Sequence, residues 1–204
     1  MTASTLFSQT TPPGSLLTDE ECRAKAIEVI TRAFHDDPVV RWVFPDARVY
    51  AVHFPKFIPA FAGAAFTSRT VELAEDLSGA ALWLQPGEGP DEESVIALLA
   101  AAVPAQRQQE VFAMLEQMGA CHPAEPHWYL PLIGVDPLRQ GQGIGSTLLR
   151  RTLARCDQER KAAYLESTQP RNVSLYLRHG FRVMGEIRVG DSPPIIPMWR
   201  QPVG

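Results

Sequence analysis

Polar and apolar positions follow a helical period in the first ordered part of the chain. Ile27, Ile30 and Phe34 recur at helical spacing behind the polar run Thr18-Asp19-Glu20-Glu21. That run has the form of a capping box, in which a threonine and a glutamate satisfy the first free amides of a helix. We therefore expect a helix from Thr18 that ends at Asp36-Asp37-Pro38, because a proline there interrupts the helical hydrogen bonds.

Aromatic residues dominate residues 39 to 69, and prolines interrupt the pattern. Since proline removes a backbone donor and clashes with the preceding turn, Pro45, Pro55 and Pro59 predict a series of short helical pieces. We expect these pieces to wall a pocket.

The pattern of apolar residues in the middle of the chain predicts first two strands and then two helices. Residues 70–76 and 79–87 read as two β-strands joined at Leu77-Ser78-Gly79, because both are apolar or alternating and are bounded by turn residues. Residues 91–119 are rich in Ala, Leu, Gln and Glu and predict two helices, the second beginning near Pro104.

The last third alternates between strands and helices. The predicted order is strand 127–135, a glycine-rich loop, helix 143–157, strand 162–167, helix 171–179, and strands 181–189 and 195–200. This order predicts an α/β (α+β) fold with a mixed sheet. Pro131 cannot donate to a sheet ladder, so strand 127–135 either bulges beside an opening in the sheet or lies at its edge. The sequence leaves both alternatives open.

Composition and charge narrow the class of protein. The 204 residues are 45% hydrophobic and 21% charged, which suffices for one sizeable core. We expect a single domain over residues 18–204 behind a loose arm, residues 1–17, which is rich in Ser, Thr, Pro and Gly. A net charge of -4 argues against general electrostatic binding to nucleic acid or to an anionic membrane.

Cysteine usage and apolar runs indicate the compartment. Cys22, Cys121 and Cys156 are widely spaced and form no zinc-ligand or disulfide pattern, so we expect no metal and a reducing environment. The first residues lack a basic and an apolar targeting region, and no apolar run is long enough to span a bilayer. These features predict a soluble, cytoplasmic protein.

The strongest chemical signal is the loop Gln140-Gly141-Gln142-Gly143-Ile144-Gly145, followed by Ser146 and an amphipathic helix. Alternating glycines let the backbone approach a phosphate, and successive amides together with a helix N-terminus provide the positive end of a dipole. The loop therefore predicts a diphosphate site that needs no lysine.

Two segments resemble the GNAT superfamily of N-acetyltransferases. Gln140 to Gly145 fits the family's Q/R-x-x-G-x-G/A signature, and Asn172 to Phe181 fits its N-x-x-x-Y-x-x-x-G-F segment. The resemblance implies a mixed, mostly antiparallel central sheet flanked by helices, whose fourth and fifth strands splay apart. It also implies acetyl-CoA as co-substrate and no metal.

The resemblance assigns roles to residues of this sequence. The backbone at Ile133, Gly134 and Val135 pairs with the pantetheine arm, and an amide near Ile133 polarises the thioester carbonyl. Tyr176 is placed as the general acid, in contact with the coenzyme. The remaining coenzyme-binding positions are Gln140, Gly141, Gln142, Gly143, Ile144, Gly145, Ser146 and Asn172, although Asn172 could instead cap the helix that it opens.

The sequence does not identify a single general base. Glu166 ends strand 162–167 and is the first candidate, with a structural hydrogen bond as its alternative role; His127 is the second, and a water relay or a neutral substrate is the third. Asp36 and Asp37 are interpreted as a helix stop more readily than as an attractor for a cationic amine. Histidines 35, 53, 122 and 179 have no matched partners in the sequence and are interpreted as solvated or structural.

The predicted function is transfer of an acetyl group from acetyl-CoA to a primary amine of a small molecule, by direct attack in a ternary complex. No nucleic-acid or membrane partner is expected, and the sequence leaves room for a homodimer. One alternative is a coenzyme A-binding sensor or scaffold without catalysis. A dinucleotide-binding protein is the other, although the glycines are spaced G-x-G-x-G rather than G-x-G-x-x-G.

Overall fold

The computed structural model describes residues 17–204, so the predicted arm lies outside the described residues except for Leu17. The described chain forms eight α-helices and six strands. The helices are α1 (Asp19–Ala33), α2 (Pro38–Val43), α3 (Ala47–Ala62), α4 (Ala64–Thr67), α5 (Glu92–Ala102), α6 (Ala105–Cys121), α7 (Ile144–Gln158) and α8 (Val173–Arg178). The strands are β1 (Val71–Leu73), β2 (Gly79–Leu84), β3 (His127–Val135), β4 (Ala162–Ser167), β5 (Arg182–Val183) and β6 (Ile196–Arg200).

The strands form one mixed sheet in the order β1-β2-β3-β4-β6-β5. Every neighbouring pair is antiparallel except β3 and β4, which run parallel across the connection through α7. The predicted fold class, a mostly antiparallel sheet flanked by helices, is confirmed. The hairpin and the two helices on either side of Pro104 are confirmed as well.

A separate hydrophobic core covers each face of the sheet. On one face, Tyr129 and Tyr164 belong to the core that includes residues of α1, α3, α5 and α6. On the other face, Leu130 and Leu165 pack with residues of α7 and with Tyr176 of α8. The alternation of side chains along a strand therefore sends neighbouring residues of β3 and β4 into different cores.

The sheet opens at Pro131. Strand β3 pairs with β4 only from His127 to Leu130, opposite Ala162 to Leu165. The register with β2 also shifts there, because Leu84 pairs with Tyr129 whereas Leu82 pairs with Leu132. The predicted bulge and opening are thus confirmed, and the alternative edge position is wrong, since β3 lies between β2 and β4. These two strands correspond to the fourth and fifth strands of the resemblance.

Helix α1 begins as the capping box predicts. The Glu21 amide donates to Oγ1 of Thr18, and the Thr18 amide donates to Oε2 of Glu21 at 2.8 Å. The Asp37 carboxylate caps the next helix, α2, by accepting from the amides of Val39 and Val40. The sequence therefore places both helix boundaries through local side-chain chemistry.

Two details of the prediction are wrong. Pro55 and Pro59 do not break the chain but lie inside the continuous helix α3. The helix tolerates the lost hydrogen bonds because its inner face, with Tyr50, Phe54 and Ile58, is fully packed in the core. The predicted strand 181–189 pairs with β6 only in part, because Pro197 accepts from the Met184 amide but has no N–H to return.

Among residues 17–204, no helix combines the length and the apolar character needed to cross a bilayer.

Candidate active site

A cleft of about 480 Å³ lies where β3 and β4 separate. Its walls are the end of α1, the second half of β3, the glycine-rich loop, the end of β4 and helix α8. The cleft collects most of the predicted coenzyme positions: Ile133, Gly134, Val135, Gln140, Gly141, Gly143, Ile144, Gly145, Ser146, Asn172 and Tyr176. Gln142 is exposed in the same loop.

The glycine-rich loop has the backbone geometry of an anion site. Gly141 and Gly143 have φ values of 77° and 83°, which side-chain-bearing residues rarely adopt. Gly143 is also the N-cap of α7 and carries no capping side chain, so the first amides of α7 have no partner within the helix. These free amides and the positive end of the helix dipole fit a diphosphate.

Contacts to the sheet fix the position of the loop. The Asp136 carboxylate accepts from the Leu138 amide at 3.0 Å, and the Asp136 amide donates to the Ser78 carbonyl at 2.7 Å. The Gln140 side chain turns back and donates from Nε2 to the Val135 carbonyl at 3.1 Å. The signature glutamine therefore also acts as a structural clamp between the loop and β3.

Arginines line this cleft together with the carboxylates Asp37 and Glu166, although the whole chain carries a net charge of -4. Arg139, Arg171 and Arg178 line it. Arg139 forms a salt bridge with Asp76 at 2.8 Å, so the charge of its guanidinium is partly neutralised. The charge is local, which suits an anionic ligand bound at one place rather than a nucleic acid bound along a surface.

Ser146 contacts a histidine that the sequence left without a partner. Its Oγ lies 2.7 Å from Nε2 of His179 and 3.3 Å from Nη1 of Arg150. Burial lowers the pKa of His179, and the neighbouring arginine side chains lower it further, so the ring is neutral at pH 7. The expectation of an unpartnered His179 is wrong.

Strand β3 presents free backbone to the cleft. Beyond Leu130 no residue of β4 pairs with β3, so alternate backbone N–H and C=O groups between Ile133 and Val135 face the opening. At Gly134 helix α1 packs so closely that a Cβ atom would lie 2.5 Å from Cβ of Ala33. The helix thereby holds this part of β3 firmly at the cleft wall.

Tyr176 reaches the cleft from the face that carries α7 and α8. Its side chain is buried, with 5% exposure, and packs edge-on against Phe181 with ring centroids 6.1 Å apart. Burial raises the pKa of Tyr176 well above its usual value, and the Asp37 carboxylate adds to this effect. The phenol therefore stays protonated throughout the physiological range and is available as a proton donor.

Glu166 reaches the cleft from the opposite face. Its side chain is only 2% exposed, and its Oε1 atom makes no hydrogen bond of good geometry within the described chain. The nearest cationic candidate is His122, whose Nε2 lies 3.2 Å from that oxygen. His122 lies in the loop after α6, so this contact fits the alternative role for Glu166, a structural contact to a loop, as well as the role of base. The expectation that His122 lacks a partner is also wrong.

His127 lies at the beginning of β3, away from the cleft wall. Its Nδ1 contacts the Glu125 carbonyl at 2.7 Å, and its ring lies between those of Tyr164 and Trp199. Burial lowers the pKa of His127, and the nearby His122 adds to the shift. The structure brings Glu166 and Tyr176 together at the cleft but leaves His127 outside it.

Two further polar residues line the cleft. Asp37, besides capping α2, accepts a hydrogen bond from Oγ1 of Thr168 at 2.6 Å, and burial raises the pKa of this carboxyl. Asn172 makes no side-chain capping bond to α8, so the alternative role of helix cap is wrong for it. Local sequence predicts the helix stop at Asp37, but its contact with Thr168 joins residues 131 positions apart and has no sequence signal.

Comparison with known proteins relates the cleft to acetyltransferases. Residues 101–183 match a family model described as an acetyltransferase (GNAT) domain. That range contains β3, the glycine-rich loop, β4 and Tyr176.

Solved structures share the overall fold. The chain is 26% identical to a structure described as histone acetyltransferase HPA2 and related acetyltransferase from Corynebacterium glutamicum, covering 89% of this chain and 92% of that one with a TM-score of 0.61. Arylalkylamine N-acetyltransferase 2 from Aedes aegypti is 12% identical, with 89% and 95% of the two chains covered and a TM-score of 0.60. The C-terminal condensation domain of Ebony, solved with beta-alanyl-dopamine, is 14% identical, with 91% and 96% covered and a TM-score of 0.66. The last two likenesses establish the fold alone.

Proposed function

We propose that residues 18–204 form a single acyl-CoA N-acyltransferase domain that transfers acetyl from acetyl-CoA to a primary amine of a small molecule. The observation that carries the proposal is the opening at Pro131, which the glycine-rich loop borders and which Glu166 and Tyr176 enter from opposite faces of the sheet. An amine and a thioester can meet in such an opening without a covalent enzyme intermediate. The match of residues 101–183 to an acetyltransferase domain supports the same chemistry.

The residues of the cleft fit acetyl-CoA. The amides from Gln140 to Ser146 would hold its diphosphate, because two residues there have the positive φ that exposes successive amides. The free backbone from Ile133 to Val135 would pair with the amides of the pantetheine arm, and Asn172 would add a side-chain contact. The bound co-substrate supplies an activated acetyl thioester.

The protein's own groups would each move or stabilise charge. Glu166 accepts the proton of the attacking amine, supported by its burial at the wall of the cleft. An amide near Ile133 stabilises the negative carbonyl oxygen, an effect worth a few kcal/mol of barrier. Tyr176 donates its proton to the departing thiolate. Its raised pKa makes the phenol a weaker acid, but a thiolate in the same desolvated cleft becomes correspondingly more basic.

The two alternatives differ in how well they fit. Dinucleotide-binding domains of the predicted kind use a parallel sheet, whereas only β3 and β4 are parallel here. A coenzyme A-binding sensor would use the same loop but would not need a buried carboxylate opposite a protonated tyrosine. We place the enzyme in the cytoplasm, consistent with three free cysteines.

The direct test is an amine panel followed by release of free thiol from acetyl-CoA. Residues 125–190 also resemble puromycin N-acetyltransferase in their motifs, so puromycin belongs in the panel with aminosugars, amino acids, polyamines and peptides. At least one small amine is expected to be acetylated. Binding of acetyl-CoA without turnover on any amine would favour the sensor.

Substitution of Tyr176 tests the acid. We expect Tyr176→Phe to lower kcat roughly 100-fold, because a general acid contributes about that factor or more. The affinity for acetyl-CoA, measured by calorimetry, should change less than about twofold, since the ring and its packing on Phe181 remain. Unaltered turnover would remove Tyr176 from the mechanism.

A further inference from the structure

A second cavity lies on the face of the sheet that is covered by α1, α3, α5 and α6. The opposite face is packed by α7. The cavity measures about 610 Å³, and we call it the side chamber. Its walls come from α3, α5, α6, the segment after β2 and the side chain of Tyr129. The apolar lining includes Phe61, Val95, Ile96, Phe112, Leu115 and Met118. Ile96 is 52% exposed even though it borders this cavity, so apolar surface is open there to a ligand.

A small cavity, which we call the neck, lies between the side chamber and the cleft and shares wall residues with both. This neck measures about 80 Å³ and shares Phe61, Leu115, Met118 and Tyr129 with the side chamber. At its other end it shares Phe34, Pro131, Glu166 and Thr168 with the cleft. Aromatic rings of the predicted pocket wall, including Phe44, Phe54 and Phe57, line the neck. The neck therefore lies between an apolar chamber and the opening in the sheet.

The buried carboxylate of Glu166 stands where the neck meets the cleft. Its Oε1 makes no hydrogen bond of good geometry within the described chain, although Nε2 of His122 lies 3.2 Å away, and a buried carboxylate oxygen is stabilised by a further donor. An ammonium or amine group at the end of the neck would supply that donor. The same position brings the nitrogen to the opening beside Pro131.

The rim of the side chamber carries carboxylates, while His122 also lines the cavity. Glu88, Glu92 and Glu116 border it, and none of its described lining residues is a lysine or arginine. The Glu88 carboxylate is already engaged by the Gln85 amide at 2.7 Å, whereas Glu92 and Glu116 are exposed. Such a rim attracts cationic molecules and repels a carboxylate.

We propose that the side chamber and neck are the acceptor site, and that the acceptor is a bulky aromatic primary amine that carries no anionic group. The proposal rests on the proposed function, since the amine is the acetyl acceptor of that reaction. The apolar walls suit an aromatic body, whose burial provides the binding energy. Few polar groups other than the rim carboxylates are available, so the hydroxyls of an aminosugar would lose their hydrogen bonds to water without replacement. In the reaction the amine nitrogen bonds to the acetyl carbon, the carbon–sulfur bond breaks, and the amine proton passes to Glu166.

Three probe amines separate the effects that an aromatic body, a carboxylate and sugar hydroxyls have on acetyl transfer. The first is 2-(1-naphthyl)ethylamine, the second is 3-(1-naphthyl)alanine, which adds only a carboxylate, and the third is glucosamine. We expect kcat/KM for the first to exceed that for each of the others at least tenfold. The double variant Glu92→Gln with Glu116→Gln should narrow the difference between the two naphthyl compounds, because it removes the exposed rim charges.

One glycine allows the side chamber to be filled. Gly119 of α6 lines it, and a Cβ added there meets no atom within 4 Å. Gly119→Trp should raise KM for 2-(1-naphthyl)ethylamine at least tenfold and leave the dissociation constant of acetyl-CoA unchanged. Ala120→Trp is the matched control, since Ala120 is the next residue of α6, is exposed and does not line the side chamber. Thermal melting of both variants checks that the fold is retained.

The outcomes separate this proposal from the proposed function. Efficient transfer to glucosamine, or an unchanged KM in Gly119→Trp, overturns the acceptor site while acetyl transfer stands. If no amine is acetylated and acetyl-CoA does not bind, the proposed function fails. In that case, calorimetry of 2-(1-naphthyl)ethylamine with the wild type and with Gly119→Trp tests whether the side chamber binds the aromatic amine. Binding to the wild type but not to Gly119→Trp supports the acceptor site, and any other result overturns it.

Discussion

At the scale of single residues, the two candidate bases differ in where the fold places them. Glu166 borders the cleft, whereas His127 contacts the Glu125 carbonyl at the far end of β3. A general base has to lie within hydrogen-bond reach of the proton that it accepts. Geometry therefore favours Glu166.

We expect Glu166→Gln to lower kcat/KM roughly 100-fold near pH 7, because the amide cannot accept the proton of the amine. The deficit should shrink at higher pH, where more of the substrate is already a neutral amine. A pH–rate profile of the variant measures both effects. His127→Asn is the matched control and should change kcat/KM less than about twofold. A large loss in His127→Asn with none in Glu166→Gln would reverse the assignment.

His127 should instead be visible in the pH dependence of stability. Burial lowers the pKa of His127 in the folded state, while the unfolded side chain titrates near about 6.5. The unfolded state therefore binds a proton first as the pH falls, so the contribution of this histidine is present above about pH 6.5 and is lost below it.

Urea unfolding at pH 7.5 and pH 5.5 tests that linkage. Between pH 7.5 and pH 5.5 the free energy of unfolding should fall further in the wild type than in His127→Asn. We expect the difference to be about 1 kcal/mol or less, because solvent screens part of the effect that lowers the pKa of this half-buried histidine. Asparagine keeps a donor near the Glu125 carbonyl. An equal loss in both proteins would show that another group, such as His179, carries the dependence.

At the scale of elements, the contact between α1 and β3 holds one wall of the cleft. Gly134→Ala places a methyl group 2.5 Å from Cβ of Ala33 and 3.2 Å from Cδ1 of Ile30. We expect a loss of about 1–3 kcal/mol in the free energy of unfolding, since neither backbone can withdraw without strain. Chemical denaturation measures it.

A double variant separates the clash from other effects of the substitution. Adding Ala33→Gly to Gly134→Ala removes the opposing methyl group and should recover part of the lost stability. Gly89→Ala is the neutral control, because its Cβ would meet no atom within 4 Å. No recovery in the double variant would argue against direct contact of the two elements.

At the scale of the whole molecule, binding at the loop should stabilise the fold. A ligand at 100 times its dissociation constant adds about 2.7 kcal/mol to the free energy of unfolding when it binds only the native state. Coenzyme A should therefore raise the melting temperature, whereas pantetheine, which lacks the diphosphate, should raise it far less. Differential scanning fluorimetry compares the two.

Gly143→Val identifies the loop as the origin of the shift. A β-branched residue at a φ of 83° is strained, so the successive amides lose their alignment. The variant should lose most of the stabilisation by coenzyme A, whatever its own melting temperature. Equal stabilisation by pantetheine and coenzyme A in the wild type would contradict the diphosphate site.

Local pattern determined much of this protein. Capping chemistry at Thr18 and Asp37, the period of strands β3 and β4, and the spacing of glycines in residues 140–145 act between neighbours in the chain, so the sequence predicts them directly. Pro131 belongs here as well, because a missing donor predicts an interruption of the ladder wherever the strand lies. The mixed sheet followed from such features, whereas the coenzyme-binding and acid positions of the cleft followed from the resemblance to the GNAT superfamily.

Only the tertiary structure decided how the two faces of the sheet are used. The fate of Pro55 and Pro59 depended on the packing of α3, which compensates two lost hydrogen bonds. The approach of His122 to Glu166 and the cavities between the side chamber and the cleft depend on elements distant in sequence. Local propensity carries no information about which distant surfaces meet, because that choice minimises the free energy of the whole core rather than of any one segment.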